Sequence, residues 1–186
     1  MKKFYLTALL ALSMGAANAQ PGGGMFSPIP QIDVKFNDYI AAPEGFDKET
    51  AGIERGTIEE VEYKSSTVGT TRKVTVYLPP KYDKSKKYPV LYLQHGGGED
   101  ERGWSQQGRT DIIMDNLIAK GEAVPMVIAM LDGNTSDFTS ELLNDAMPVV
   151  EANYRVKTDA DSRALAGLSM GGIHTLNVVM EHPELF

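Results

Sequence analysis

Apolar residues recur along the chain in patterns that favour five strands. These lie at 58–63, 73–78, 88–94, 126–131 and 164–168. The first two alternate between apolar and polar positions and carry β-branched residues, as half-buried strands do. The next two are nearly continuous apolar runs, which are typical of strands buried on both faces. The last is short and built from small residues.

Helical spacing fills the intervals between the later strands. A helix is predicted over 110–120, with Thr110 as its cap. Residues 137–154 carry an apolar stripe of helical period, although Pro148 should kink or shorten that helix. A third helix is predicted over 170–180. This alternation predicts an α/β fold, with a mostly parallel sheet covered by helices on both faces.

The start of the chain has the three parts of an export signal. Lys2 and Lys3 supply positive charge, residues 4–14 are apolar, and Ala17 and Ala19 are the small residues before a cleavage point. We therefore predict a signal peptide at residues 1–19 and a mature protein that is periplasmic or secreted. No later apolar run is long enough to cross a bilayer.

Two further regions follow the signal peptide. Residues 20–56 begin with a Gly- and Pro-rich stretch and are expected to form a flexible leader and a poorly defined N-terminal segment. Residues 57–186 carry the patterned strands and helices, so they should contain the folded domain.

Composition narrows the chemistry. The 186 residues include no cysteine, which excludes disulfides, thiolate zinc sites and a cysteine nucleophile. The net charge is −7, and loss of residues 1–19, with two lysines and no acidic residue, would make it −9. Such a surface repels phosphate backbones and anionic lipid, so neither nucleic acid nor a membrane is an expected partner.

The sequence Gly-Leu-Ser-Met-Gly at 167–171 is the strongest chemical signal. It follows a predicted strand and opens a predicted helix, which is the context of a nucleophile elbow. Gly167 and Gly171 would leave room for a strained Ser169. The Met170 N–H, at the helix N-terminus, would point at a developing oxyanion. The alternative is a glycine-rich turn with an N-cap serine.

A second glycine-rich motif follows the third predicted strand. His95, Gly96, Gly97 and Gly98 match the loop that supplies the other oxyanion amide in such sites, and we assign that role to the Gly97 N–H. His95 is expected to support the loop by hydrogen bonding, with a catalytic base as the alternative. Trp104 either lines the acyl side of the cleft or packs in the core.

Several stretches together carry a family resemblance. They are residues 76–80, 88–96, 141–145 with Pro148, 151–156 and 166–172. The region 57–186 resembles the putative-esterase family of α/β hydrolases. That family includes feruloyl and acetyl xylan esterases of carbohydrate esterase family 1, S-formylglutathione hydrolase, enterochelin esterases and mycolyltransferases. The resemblance implies an α/β-hydrolase fold, Ser169 as nucleophile, Met170 and Gly97 as oxyanion donors, and no metal or organic cofactor.

The acid and base of a catalytic triad are missing from this pattern. In α/β hydrolases they follow the serine along the chain, and only 17 residues follow Ser169. His174 should lie about 7.5 Å further along the helix and rotated by about 140°, and His182 about 20 Å away. We therefore expect 57–186 to be the N-terminal part of an esterase domain without its C-terminal strands. A natural minimal hydrolase is the alternative.

The function predicted from the sequence is that of an exported serine esterase, weakly active or inactive as this fragment. Its substrates would be carboxylic esters, such as feruloyl or acetyl groups on plant polysaccharides, cleaved through an acyl-enzyme on Ser169. Two alternatives remain: a non-catalytic carbohydrate-binding pseudo-esterase, and an acyltransferase or peptidase on the same fold. The sequence gives no indication of the oligomeric state.

Overall fold

A computed structural model describes residues 42–186, which form one sheet with its helices. The strands are β1 (Thr57–Lys64), β2 (Thr71–Leu78), β3 (Val90–Gln94), β4 (Val127–Leu131) and β5 (Arg163–Gly167). The helices are α1 (Gly103–Gln106), α2 (Thr110–Lys120), α3 (Phe138–Ser140), α4 (Met147–Asn153) and α5 (Met170–Glu181). The predicted signal peptide and residues 20–41 of the predicted leader lie outside this range.

The strands are ordered β1-β2-β4-β3-β5. β1 pairs antiparallel with β2 and β2 antiparallel with β4, whereas β3 is parallel to both β4 and β5. The predicted α/β class is confirmed, and the sheet is mixed because β1 and β2 are joined by a turn too short for anything but an antiparallel hairpin. The carboxyl ends of β3, β4 and β5 therefore lie side by side.

Burial on both faces, expected for the central strands, is confirmed in β3 and β4. Val90 and Tyr92 of β3 belong to one apolar cluster, and Leu93 belongs to another on the opposite face. The first cluster is covered by α4 and α5, with Val150 and Val178 fully buried. The second is covered by α2 and α1. Successive apolar residues of a strand therefore point to opposite faces of the sheet and pack against different helices.

Helix α2 has the predicted bounds, but its cap differs. The N-cap residue is Arg109, in a left-handed conformation with φ 53°, and Thr110 is the first helical residue. The Thr110 hydroxyl donates to the carbonyl of Trp104 at 2.8 Å instead of capping the helix. The cap prediction was therefore wrong, because a contact outside the helix engages the hydroxyl.

The helix predicted over 137–154 is continuous from residue 138 to residue 153. Pro148 neither ends it nor leaves it regular: a π-helical segment, Glu141–Ala146, lies between α3 and α4. A proline ring collides with the carbonyl four residues earlier in a regular α-helix. The wider π turn relieves that collision, and Glu141, the first residue of the π-helical segment, is 1% exposed.

Residues 42–56 consist of turns that contact α2. The Asn116 side-chain amide donates to the carbonyls of Phe46 and Lys48, both at 2.9 Å. The Gly56 N–H donates to the Asp115 carboxylate at 2.9 Å. These contacts fix part of the expected leader against the domain. None of the helices between residues 42 and 186 is long and apolar enough to span a bilayer.

Candidate active site

Ser169 lies between the end of β5 and the start of α5. Its backbone has φ 54° and ψ −112°, a combination that residues with a Cβ rarely adopt and that costs about 1–3 kcal/mol. The Leu168 N–H donates to the Gln94 carbonyl at 3.1 Å, and the Gly171 N–H donates back to Leu168 at 2.9 Å. These bonds hold a sharp strand–serine–helix turn, with Ser169 exposed at its tip.

The glycines on either side of Ser169 permit close packing. A Cβ on Gly167 would lie 2.2 Å from the carbonyl oxygen of Gly171. A Cβ on Gly171 would lie 2.6 Å and 2.7 Å from the carbonyl oxygens of Gln94 and His95. No side chain fits at either position without moving backbone, so these two glycines allow α5 to start directly against the end of β3.

The loop after β3, residues 95–99, lies beside Ser169 and is called the glycine loop below. A Cβ placed on Gly96 would be 3.8 Å from the Ser169 Cβ, whereas one on Gly97 would face open space. Gly98 has φ 85°, which favours glycine. Within residues 42–186 neither the Gly97 N–H nor the Met170 N–H has a hydrogen-bond acceptor. Two free amide donors are therefore available near the serine.

His95 is fully buried and joins the glycine loop to the loop after β4. Its Nδ1 lies 2.6 Å from the Gly96 carbonyl oxygen, and its Nε2 accepts from the Gly133 N–H at 3.0 Å. Those partners require the proton on Nδ1 and the lone pair on Nε2. Both ring nitrogens are thus engaged by backbone groups, an arrangement suited to loop support rather than to taking a proton from Ser169.

The other two histidines make different contacts, and the buried Nδ1 of His174 has no hydrogen-bond partner among residues 42–186. The His174 ring stacks on Phe138 with 4.5 Å between centroids, and burial, with a smaller contribution from His95, lowers its pKa. His182 Nδ1 lies 3.4 Å from a Glu184 carboxylate oxygen. In the part of the chain that the structure describes, no side chain hydrogen-bonds to the Ser169 hydroxyl.

Trp104 packs against the apolar cluster formed by Tyr77, Leu93, Ile128 and Met130. Its side chain is half-buried, and its carbonyl accepts the Thr110 hydroxyl. These contacts are those of the core-packing interpretation. A role in lining the cleft stays a prediction.

Sequence reasoning missed the loop after β4. Asn134 donates through Nδ2 to the Glu99 carbonyl at 2.8 Å, and the Glu99 carboxylate accepts from the Gly96 N–H at 3.1 Å. A Cβ on Gly133 would lie 1.9 Å from Gln94 Nε2, so this loop also packs tightly. The available signal was a Gly-Asn pair that follows the buried strand after one intervening residue, Asp132. Across residues 42–186 no three His, Asp or Glu side chains cluster as metal ligands would.

Comparison with known sequences and structures gives consistent matches. A sequence model described as Putative esterase matches residues 65–186, about two thirds of the chain. An endo-1,4-beta-xylanase/feruloyl esterase from Xylanibacter ruminicola is 40% identical over 152 residues, which cover 72% of this chain and 21% of that protein.

Solved structures match over a larger share of their length. A CE1 ferulic acid esterase from Anaeromyces mucronatus, in complex with ferulic acid, has a TM-score of 0.72 and 30% identity, covering 78% of this chain and 60% of that one. A serine-to-alanine mutant of the feruloyl esterase module from Clostridium thermocellum, complexed with sinapinate, gives 0.70 and 29%, covering 79% and 56%. The chain thus spans about a fifth of the Xylanibacter ruminicola relative and less than two thirds of these structures. The predicted α/β-hydrolase fold is confirmed.

Proposed function

The chain belongs to the Putative esterase family, and on that premise we propose that it is a carboxylic ester hydrolase with Ser169 as its nucleophile. The observation that carries the proposal is the backbone of Ser169, strained at φ 54° between β5 and α5. Strain of this kind persists only where the surroundings impose it, and it is typical of functional sites. It presents the hydroxyl at the carboxyl edge of the sheet, where α/β folds bind ligands.

The Gly97 and Met170 amides are proposed as the oxyanion donors. Neither N–H has an acceptor within residues 42–186, and Gly97 borders open space and directly follows Gly96, the residue that approaches Ser169. Attack by the Ser169 hydroxyl on an ester carbonyl would place negative charge on the carbonyl oxygen, which these amides stabilise. Collapse expels the alcohol and leaves an acyl-enzyme, which water then hydrolyses.

This mechanism requires a base for the Ser169 proton. Both ring nitrogens of His95 are occupied, and His174 and His182 lie against Phe138 and Glu184. The residues that the structure describes therefore contribute the nucleophile and the oxyanion donors without a positioned base. Acylation by these residues alone should be slow, and a base supplied from solution should accelerate it.

For the substrate, we propose hydroxycinnamoyl or acetyl esters of plant polysaccharides. The Xylanibacter ruminicola relative is named a xylanase/feruloyl esterase, and the two structural relatives hold ferulic acid and sinapinate. Export fits a polymeric substrate outside the cell. The predicted mature N-terminus is Gln20, and N-terminal sequencing of protein expressed in a secreting host tests it. A soluble product that retains Met1 would contradict export.

Covalent labelling of Ser169 tests the proposed nucleophile. The full chain is incubated with a fluorophosphonate, with and without added imidazole, and the tryptic peptides are analysed by mass spectrometry. We expect one adduct on Ser169, formed faster with imidazole because the exposed hydroxyl is accessible to a small base. Ser169→Ala should show no adduct. Ser136→Ala, an exposed serine in a loop at the same edge, is the matched control and should label normally.

A pseudo-esterase that binds carbohydrate without cleaving esters is the second candidate. It is favoured by the absence of a hydrogen-bond partner for the Ser169 hydroxyl among residues 42–186. Xylo-oligosaccharide binding without any labelling of Ser169, even with imidazole, would support it and contradict the esterase.

A further inference from the structure

Arg72 is a buried cation at the carboxyl edge of the sheet, and neither the elbow nor the glycine loop contains it. It lies near the start of β2, opposite Tyr63 of β1, and its side chain is 5% exposed. Burying a guanidinium is costly unless its donors are engaged and its charge is paired. The partners of Arg72 therefore indicate what its position contributes.

Most of its donors are directed at the loop after β4. One terminal nitrogen donates to the Asn134 carbonyl at 3.2 Å. The other donates to the Asp132 carbonyl and lies 3.0 Å from the Asp132 carboxylate. A planar fork of this kind fixes two carbonyls of one loop in a single orientation, which an ammonium group cannot reproduce.

The opposite side of the guanidinium faces a buried carboxylate, with which it forms an ion pair but no hydrogen bond from Nε. Arg72 Nε lies 3.4 Å from a carboxylate oxygen of Glu141, which the π-helical segment holds inside the protein. The Glu141 carboxylate also accepts the hydroxyls of Tyr63 and Ser65. Arg72 thus connects a fixed buried carboxylate to the loop after β4.

That loop in turn holds both ends of the glycine loop. At the first end, the Gly133 N–H donates to His95 Nε2 at 3.0 Å. At the last end, Asn134 Nδ2 donates to the Glu99 carbonyl at 2.8 Å. Gly97 lies between these two attachment points, and no hydrogen bond of its own N–H fixes it.

We propose that Arg72 is a positioning residue for the Gly97 amide, acting through residues 132–134. The role of the Gly97 N–H as an oxyanion donor rests on the proposed esterase function. The connection itself does not depend on that function, because it consists of contacts between Arg72, the loop after β4 and the glycine loop.

The test compares Arg72→Lys with Arg163→Lys in the full chain. Arg163 is the matched control: it is 10% exposed, pairs with Glu151, and lies at the opposite end of β5. Amide hydrogen exchange is measured by NMR at Gly96 and Gly133, whose N–H groups are bonded in this network, and at Tyr92 in the core of β3. In Arg72→Lys we expect about tenfold faster exchange at Gly96 and Gly133 and little change at Tyr92. In Arg163→Lys, the exchange rates of these three amides relative to one another should be the same as in the wild type.

A second variant keeps the test decisive if Arg72→Lys folds poorly. Asn134→Ala, at an exposed position, removes the bond to the Glu99 carbonyl and leaves the buried ion pairs intact. It should raise exchange at Gly96. Because both variants act on the same loop, their effects should not be independent. In the double variant, the increase in the Gly96 exchange rate should be smaller than the product of the increases in the two single variants.

Labelling of Ser169 in imidazole provides the functional arm. Arg72→Lys should lower the limiting rate about tenfold while leaving the half-saturating probe concentration within about twofold. If the wild type does not label at all, the esterase proposal fails, and the exchange data still decide the role of Arg72. Unchanged exchange at Gly96 and Gly133 in Arg72→Lys, or an equal rise at Tyr92, would overturn the positioning role.

Discussion

The two ends of the parallel strands β3, β4 and β5 are built on opposite principles. At the amino end, backbone and charged groups have partners: Tyr88 exchanges hydrogen bonds with Arg155 and Lys157, and Arg163 pairs with Glu151. At the carboxyl end, glycines replace side chains and Ser169 is strained. There the N–H groups of Gly97 and Met170 have no acceptor among residues 42–186. The amino end is organised for stability, and the carboxyl end leaves donors free for a ligand.

This difference has a physical reason. A free N–H costs little when it faces water, and it becomes useful only when a substrate oxygen replaces that water. Glycine is the residue that lets backbone reach such a position, because it needs no room for a Cβ. The same substitution should therefore have different consequences at the two ends.

The residues at the carboxyl end should accelerate ester hydrolysis over the reaction in water, but by less than a complete catalytic triad would. Because residues 42–186 contain no positioned base, we expect the full chain to hydrolyse an aryl acetate no more than about 10³–10⁴-fold faster than water does, the level that an oxyanion hole and binding alone sustain. Initial rates at pH 7 measure this. Turnover of tens per second that Ser169→Ala abolishes would contradict it and would indicate a base such as His95.

Alanine substitutions at two neighbouring glycines of α5 should have opposite effects on stability, because one glycine is closely packed against backbone and the other is not. Gly171→Ala places a methyl group within 2.7 Å of two backbone carbonyls and should lower the free energy of unfolding by about 3 kcal/mol. Gly172→Ala meets only the Gly167 carbonyl at 3.5 Å and should raise it by about 0.5–1 kcal/mol. Urea unfolding of both variants measures the contrast. Equal effects would show that the end of β3 is not the constraint.

At the amino end, loss of an ion pair should affect stability alone. Arg163→Met leaves a Glu151 carboxylate that is 26% exposed, and should cost about 1–2 kcal/mol. Changing Glu151 to Leu as well should recover part of that loss, because the unpaired charge is removed. Ser169 labelling should stay at the wild-type rate in both. A slower rate would mean that the two ends are coupled.

Acid should weaken the hairpin that lies behind the carboxyl end. Burial alone would raise the pKa of Asp145, but hydrogen bonds from Ser66 and Thr67 outweigh it and lower the pKa to about 2. An unfolded aspartate has a pKa of about 3.9, so its stabilising contribution is complete above roughly pH 5 and is lost as pH falls toward 2.

Asp145→Asn tests that contribution. The variant should be about 1–2 kcal/mol less stable at pH 7, with the difference shrinking between pH 5 and pH 2. Thermal unfolding at several pH values measures it. A difference that is constant across the range would show that the carboxylate charge is not what holds the hairpin.

Local patterns predicted most of the elements and the sequence context of Ser169. The apolar run before His95 and the helix over 110–120 are encoded by consecutive residues, so their positions follow from period and composition alone. The strand and helix flanking Ser169 are equally local.

Long-range features could not be predicted in this way. Strand order and the antiparallel pairing of β2 with β4 depend on contacts between residues far apart in sequence. Arg72 is an example. In the sequence it lies next to a strand of alternating residues and resembles an exposed charge. It is buried in the structure because Glu141 and Asp132, which are distant in sequence, pair with it. The π turn before Pro148 was equally unpredictable from local sequence, because tertiary packing decides whether a proline ends a helix or is accommodated by a π-helical segment.

The strained backbone of Ser169 also has a consequence for the evolution of this protein. A glycine at the same position would relax the turn and could raise stability by about 1 kcal/mol, at the expense of the hydroxyl. A variant library selected only for heat tolerance would therefore be expected to discard this serine early. Its retention in a natural sequence would reflect selection for chemistry acting against thermal robustness.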